Sequence, residues 1–150
     1  MRMNNYPQWW NTTLTIYNRF IDYQTQITHW YKHTVNNCFW SYDGSKLTVG
    51  NVIVDSTSIL CRIPIQSNFK EGFEWIQLPN DEKNNYLTLN PHDIIVRGNV
   101  SDEINEYVQG QRSTDLIKKY KDLQGCTNIQ QVSINTGGGR VNEHYLVRGD

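Results

Sequence analysis

Leu14, Ile16 and Phe20 alternate with Thr13, Thr15, Tyr17 and Arg19, the two-residue period of a half-buried strand. A second extended segment runs from Ile27 to His33, with Trp30 and Tyr31 on opposite faces, and a third is Cys38-Phe39-Trp40. Tyr42-Asp43-Gly44-Ser45 follows and carries the Asp-Gly signal of a hairpin turn. Leu47 to Val54, interrupted by Gly50-Asn51, is the next strand, and Ser58 to Ile63 is another, stopped by Pro64. From Gln66 to His92 the chain is polar, contains Trp75, Pro79 and Pro91, and reads mostly as one long loop, a length usually reserved for function or mobility. Asp93 to Gly98 is a short, very apolar strand.

The period then changes. Ser101-Asp102-Glu103 predicts the start of a short helix over about 102–108. A better helix spans 113–124, with Leu116, Ile117, Tyr120 and Leu123 on one face, Ser113 as the cap and Gly125 as the left-handed residue after the end. Asp115 precedes Lys118 and Lys119 at supportive spacing. A C-terminal hairpin over about 129–148 closes the chain, its strands joined through Asn135-Thr136-Gly137-Gly138-Gly139-Arg140. The expected fold is therefore mainly β: a small barrel or sandwich with one or two helices packed against it. No repeat or linker divides the chain, so residues 12–150 are expected to form one β-rich domain. Ahead of it lies an N-terminal arm, residues 1–11, carrying Tyr6, Trp9 and Trp10; the plainer alternative is that these tryptophans cap one end of the core.

Composition sharpens this picture. The 150 residues are 37% hydrophobic and 19% charged, yet five Trp and nine Tyr lift the aromatic share to 12%, which excludes a disordered chain. A neutral polar surface with aromatic content to spare suits repeated protein contact. The net charge of −1 gives no overall field to attract nucleic acid or an anionic membrane. No apolar run is long enough to span a bilayer, and Met1 to Asn5 lacks the apolar core of a signal peptide, so synthesis in a cytoplasm is expected. Cys38, Cys61 and Cys126 are odd in number and widely spaced, which predicts buried free thiols.

The sequence carries no nucleophile motif and no cofactor signature. His29 and His33 stand four apart, about 13 Å along a strand, too far for one metal ion. Asp102, Glu103 and Glu106 cluster where a helix dipole would favour them. The triglycine stretch lacks the remaining residues of a phosphate loop and reads as a flexible tip, or as a docking loop that orders on a partner. Arg112, Lys118, Lys119 and Lys121 are expected on a solvated helix face. No catalytic or metal site is predicted.

The order of segments does resemble a family. Thr13-Leu14-Thr15-Ile16-Tyr17-Asn18-Arg19, then Thr28-His29-Trp30-Tyr31-Lys32-His33, Asn37-Cys38-Phe39-Trp40 with the Asp43-Gly44 turn, Ile59-Leu60-Cys61-Arg62-Ile63-Pro64 and Pro91-His92-Asp93-Ile94-Ile95-Val96-Arg97-Gly98 look like the head-closure (stopper) and head–tail joining or minor capsid proteins of phages of Gram-positive bacteria. The likeness covers about residues 12–98. It implies a non-enzymatic subunit of a homo-oligomeric ring at the virion neck, assembled in the bacterial host cytoplasm. The implied partners are a portal or adaptor protein on one side, a tail or tail-terminator protein on the other, and packaged double-stranded DNA in the channel, with no membrane and no cofactor. Under it, Tyr42, Asp43, Gly44, Ser45 and Lys46 would line the channel. The 66–90 loop, with Trp75, the arm residues Tyr6, Trp9 and Trp10, and the loop Gly137, Gly138, Gly139 and Arg140 would contact neighbours. An adaptor or tail-completion protein is an alternative within the class. A sugar- or nucleic-acid-binding module stacking ligands on its aromatics is an alternative outside it.

Overall fold

A computed structural model describes residues 6–49, 52–135 and 143–150, with the backbone alone for 43–49 and 52–57. The strands are β1 (Thr12–Asp22), β2 (Ile27–Val49), β3 (Val52–Pro64), β4 (Ile94–Arg97), β5 (Cys126–Asn135) and β6 (His144–Gly149). They close into an antiparallel barrel in the order β1-β2-β3-β6-β5-β4. Two helices accompany it, α1 (Gly72–Trp75) and α2 (Ser113–Lys121). The mainly β expectation, a barrel with helices against it and a C-terminal hairpin, is thus what the chain adopts.

Alternation explains the interior. Leu14 and Ile16 of β1 meet Val35, Cys38 and Trp40 of β2, Ile59, Cys61 and Ile63 of β3, Ile95 of β4, Ile129 of β5, and Tyr145 and Val147 of β6. Val35 and Cys38 are three apart, yet both face inward. A register break opposite β1 and the positive φ of Asn37 (61°) supply the extra residue that a strict two-residue period forbids. Leu87 and Leu89, from the long loop, fill the remaining space.

A second apolar layer lies outside the barrel. Tyr17, Ile94, Val96 and Cys126 are covered by Val100, Ile104, Leu116 and Tyr120. That is why Leu14 to Asn18 are buried without interruption, although their sequence alternates. The Tyr17 hydroxyl donates to the Asp102 carbonyl at 2.7 Å, and burial, with the Asp102 carboxylate nearby, raises its pKa above the usual tyrosine range.

Several local expectations are corrected. Tyr42 to Lys46 form no turn: Asp43 pairs with Ser58 and Gly44 with Thr57 within one continuous ladder, and the chain reverses between Val49 and Val52. A turn at Asp43-Gly44 would have set Tyr42 beside Ser45. The observed register instead aligns the β-branched Val49, Val52, Ile53 and Val54 and brings Trp40 opposite Cys61. Residues 102–108 form no helix; their carboxylates tie neighbouring segments together. The 66–92 segment is mostly loop, as expected, with α1 and a 3-10 turn at Lys83–Asn85 punctuating it.

Helix α2 is shorter than expected. It begins after Arg112 rather than on a Ser113 cap: the Asp115 carboxylate accepts from the Arg112 N–H at 3.1 Å, and Glu106 accepts from the Ser113 N–H at 2.8 Å. Because it stops at Lys121, Leu123 drops off the apolar face and is 69% exposed. Gly125 does end this region with a positive φ (111°), and its N–H donates to the Tyr120 carbonyl at 2.8 Å. A Cβ there would stand 2.8 Å from Trp40 Cζ2 and 2.9 Å from the Tyr42 hydroxyl. Gly125→Ala should therefore lose about 2 kcal/mol, combining backbone strain with a clash against a buried ring. Urea denaturation measures it, and a loss below about 0.5 kcal/mol would contradict this account.

Candidate docking surface

The feature that departs from a closed barrel is the far part of the β2–β3 hairpin. β6 pairs with β3 from Pro64 to Ile59, where Gly149 is its last partner. β1 pairs with β2 up to Cys38. Beyond both limits, the seven pairs from Asp43↔Ser58 to Val49↔Val52 join β2 and β3 to each other. At about 3.3 Å per residue this ribbon is roughly 20 Å long. Tyr42 stands exposed at its base, against Trp40.

The predicted contact residues separate into three groups. Trp9 is 66% exposed, whereas Trp10 is buried against Phe39 and His144. Tyr6 stacks on Trp10 at 5.1 Å and donates its hydroxyl to the Glu143 carbonyl. So Tyr6 and Trp10 cap their own barrel, the plainer of the two expectations, and Trp9 alone of the three presents its ring outward. The two rings part because Trp9 sits in a turn, closed by the Trp10 N–H donating to the Pro7 carbonyl at 3.0 Å, rather than in a strand. Trp75 is also no docking residue: it is fully buried between Phe20 and Tyr31, with its indole N–H donating to the Tyr86 carbonyl at 3.0 Å. Gly137, Gly138, Gly139 and Arg140 lie outside the described residues.

What Trp75 builds is a strap. The long loop folds over β1 and β2 and inserts Lys83, 1% exposed, beneath itself. The Lys83 ammonium lies 4.2 Å from the centre of the Phe20 ring, donates to Asn80 Oδ1 at 3.1 Å and is also bonded to the Leu78 carbonyl. Burial lowers its pKa, and Asp22 acts the opposite way. At the other end of the strap sits Asp93. It accepts from Asn18 Nδ2 at 2.9 Å, the Arg19 N–H at 2.9 Å and the Asn90 N–H at 3.0 Å. Asn18 in turn donates to the Thr88 carbonyl at 2.6 Å. Between these anchors, Phe20, Ile21, Tyr23, Ile76 and Pro91 line an apolar cleft of about 400 Å³. Sequence reading missed both anchors, since a lysine in a polar loop and an aspartate beside a strand look like solvated charges.

Several titratable groups among the described residues are engaged in structural bonds. Asp102 accepts from Lys119 at 2.8 Å and from the Tyr120 hydroxyl at 2.5 Å, bonds that hold its pKa below the usual carboxylate value. Glu103 pairs with Lys32 at 3.1 Å, and Glu106 serves the start of α2. Glu103 fastens the outer layer to β2, while Asp102 and Glu106 brace that layer internally against α2. Lys118, Lys119 and Lys121 lie on the solvated side of α2, as their spacing implied. Burial pushes the Cys38 and Cys126 thiols up to about 12 and the Cys61 thiol higher still, so none supplies thiolate near neutrality. His29 stacks on Phe20, and no group of metal-ligating side chains assembles among the described residues.

A family described as a family of unknown function, DUF6751, matches residues 9–150. The chain belongs to it. No curated protein and no solved structure matches the chain. The DUF6751 match takes in the barrel, the strap, the outer layer and the C-terminal hairpin together.

Proposed function

We propose that this DUF6751 chain is a structural, non-enzymatic subunit of the neck of a tailed phage particle. It forms a homo-oligomeric ring at the portal–tail junction that retains packaged double-stranded DNA and gives the tail its attachment surface. The observation that carries this reading is the β2–β3 ribbon. A small barrel provides the wall of a ring, and a ribbon of about 20 Å is long enough to reach from such a wall toward an axial channel. In this reading Tyr42, Asp43, Gly44, Ser45 and Lys46 run along the ribbon's base rather than around a tip. Further support comes from the resemblance of residues 12–98 to head-closure proteins and from the engagement of the Asp102, Glu103 and Glu106 carboxylates in structural bonds. Stacking of sugars or bases draws less support, because Trp10, Trp40 and Trp75 are committed to the interior.

Light scattering on the full chain, alone and mixed with candidate portal and tail proteins, tests the proposal. A multimeric complex in the mixture is the expected result; a chain that stays monomeric with every such protein overturns it. Trp9→Ala should leave unfolding within about 0.5 kcal/mol of the parent, as exposed positions do, while weakening assembly. Unchanged assembly would remove the arm from the interface.

A further inference from the structure

Trp9 and the apolar cleft beside the strap lie at opposite ends of one strand. β1 runs from Thr12 to Asp22, and at about 3.3 Å per residue its ends stand roughly 30 Å apart. Trp9 comes three residues before its start and presents its ring outward. Phe20, Ile21 and Tyr23, at or just past its far end, line the cleft with Ile76 and Pro91. β1 is paired on both sides, to β2 and to β4, so it holds the two features apart. Trp9 therefore cannot enter the cleft of its own subunit, but it can enter that of another.

The cleft suits a large aromatic ring. It encloses about 400 Å³, and two of its apolar walls, Tyr23 and Ile76, are exposed. Arg19 also lines it, and among aromatic faces indole is the best partner for a guanidinium. A Trp side chain buries about 150–250 Å² when covered, the kind of anchor that dominates an interface.

Charge selects the same occupant. Asp22 stands between the lining residues Ile21 and Tyr23, Glu74 comes two residues before Ile76, and Glu71, Asp81 and Glu82 are exposed along the strap. Of the strap's two lysines, Lys83 is buried and Lys70 lies over the Tyr86 ring. Residues 1–11, which carry Trp9, contain Arg2 and no acidic residue. A basic aromatic arm complements an apolar cleft with an acidic rim.

We infer that the cleft formed by Phe20, Ile21, Tyr23, Ile76 and Pro91 receives Trp9 from a second copy of this chain. The contact joins two different patches, one at each end of β1, and so is head-to-tail, the type that generates a ring when its rotation closes. It does not draw on the β2–β3 ribbon. The inference rests on the ring reading and names the surfaces by which neighbouring subunits join.

The test uses the full chain with the candidate portal and tail proteins of the previous section. Ile76→Asp and Tyr23→Asp each place a carboxylate in an exposed wall of the cleft. Each should keep the parent's circular dichroism and unfolding midpoint while weakening assembly about tenfold or more by light scattering. Cross-linking identifies the occupant on chains whose Trp9 and cleft are intact. Gln8→Cys chains mixed with Gln77→Cys chains, both positions exposed, should be joined by a short bismaleimide in the assembly, and neither kind alone should be, since Cys38, Cys61 and Cys126 are buried. Two folded cleft variants that assemble as the parent does overturn the contact and leave the ring standing. Weakened assembly without the mixed cross-link assigns the cleft to a portal or tail protein and overturns the second copy as occupant. A parent that stays monomeric in every mixture overturns the ring and this contact together.

Discussion

Lys83→Ala is expected to destabilise the protein by about 3 kcal/mol and to free the strap from the barrel before the barrel itself opens. The Lys83 ammonium makes two hydrogen bonds, to Asn80 and to the Leu78 carbonyl, and sits over the Phe20 ring. A desolvated cation–π contact contributes up to about 2 kcal/mol, and hydrogen bonds from a charged donor about 1.5–3 kcal/mol. Desolvation of the ammonium, visible in its lowered pKa, offsets part of that sum. Truncation also leaves the Leu78 carbonyl without this donor and opens space between Phe20 and Trp75. Lys83→Met keeps the stem and loses the charge, so about half of the effect should remain. Urea denaturation gives the magnitude, and hydrogen exchange gives the location: amides of 66–92 should lose protection first, those of β1 and β2 last. An Ala variant within about 0.5 kcal/mol of the parent, with the strap still protected, would show that the aromatic and apolar contacts hold it alone.

The parts of this structure that were legible in the sequence are those governed by short-range periodicity. Leu14 and Ile16 alternate with threonines, and they line the barrel. Leu116 and Tyr120 sit four apart, and they face the core. The errors occur where distant segments decide the outcome. Asp43-Gly44 is a sound local turn signal, but the register is set by pairing Phe39 to Tyr42 with Ile59 to Arg62, and that ladder carries Asp43 and Gly44 through as ordinary strand residues. The acidic run after Ser101 resembles a helix start, yet its carboxylates find Lys119, Tyr120, Lys32 and the Ser113 N–H, so the backbone follows those partners instead. Tyr17 looks like the polar-side member of an alternating strand until a second layer, residues 100–120, covers it.

The candidate docking surface follows the same division. The Val52-Ile53-Val54 run could be read as a strand, but that it pairs with Val49, Thr48 and Leu47 depends on the register of the whole β2–β3 ladder. Gln130 to Ile134 could be read as a strand, but that the β4 pairing stops at Asn128 depends on the shortness of β4. Edges are properties of strand order, and one sequence gives strands more readily than their order. The same holds for Lys83 and Asp93, which meet β1 at Phe20 and at Asn18 and Arg19 respectively.

Asp93 should make stability fall as pH rises from about 4 to about 7. Burial raises its pKa from 3.8 to about 7, although the bonds from Arg19, Asn18 and Asn90 pull the other way. A carboxyl with a raised folded-state pKa binds its proton more tightly in the folded chain than in the unfolded one. Its contribution is therefore fully present below about 4 and is lost as pH climbs through about 7, a change of at most about 4 kcal/mol. His33 acts in the opposite sense: burial lowers its pKa, so unfolding takes up protons below about 6.5 and stability rises with pH there. Comparison with Asp93→Asn at each pH separates the two, since the variant retains His33 and removes the titrating carboxyl. Urea denaturation at pH values from 4 to 8 should show the parent's advantage over Asp93→Asn shrinking toward high pH, and a constant difference would contradict a raised pKa. Asp93→Ala removes the acceptor of three donors at once, the Asn18 amide and the Arg19 and Asn90 N–H groups, and should cost about 4 kcal/mol near pH 5. The loss should appear in the anchor at the strap's C-terminal end, with Asn90 and His92 exchanging amide protons faster while Lys83 still holds the other end.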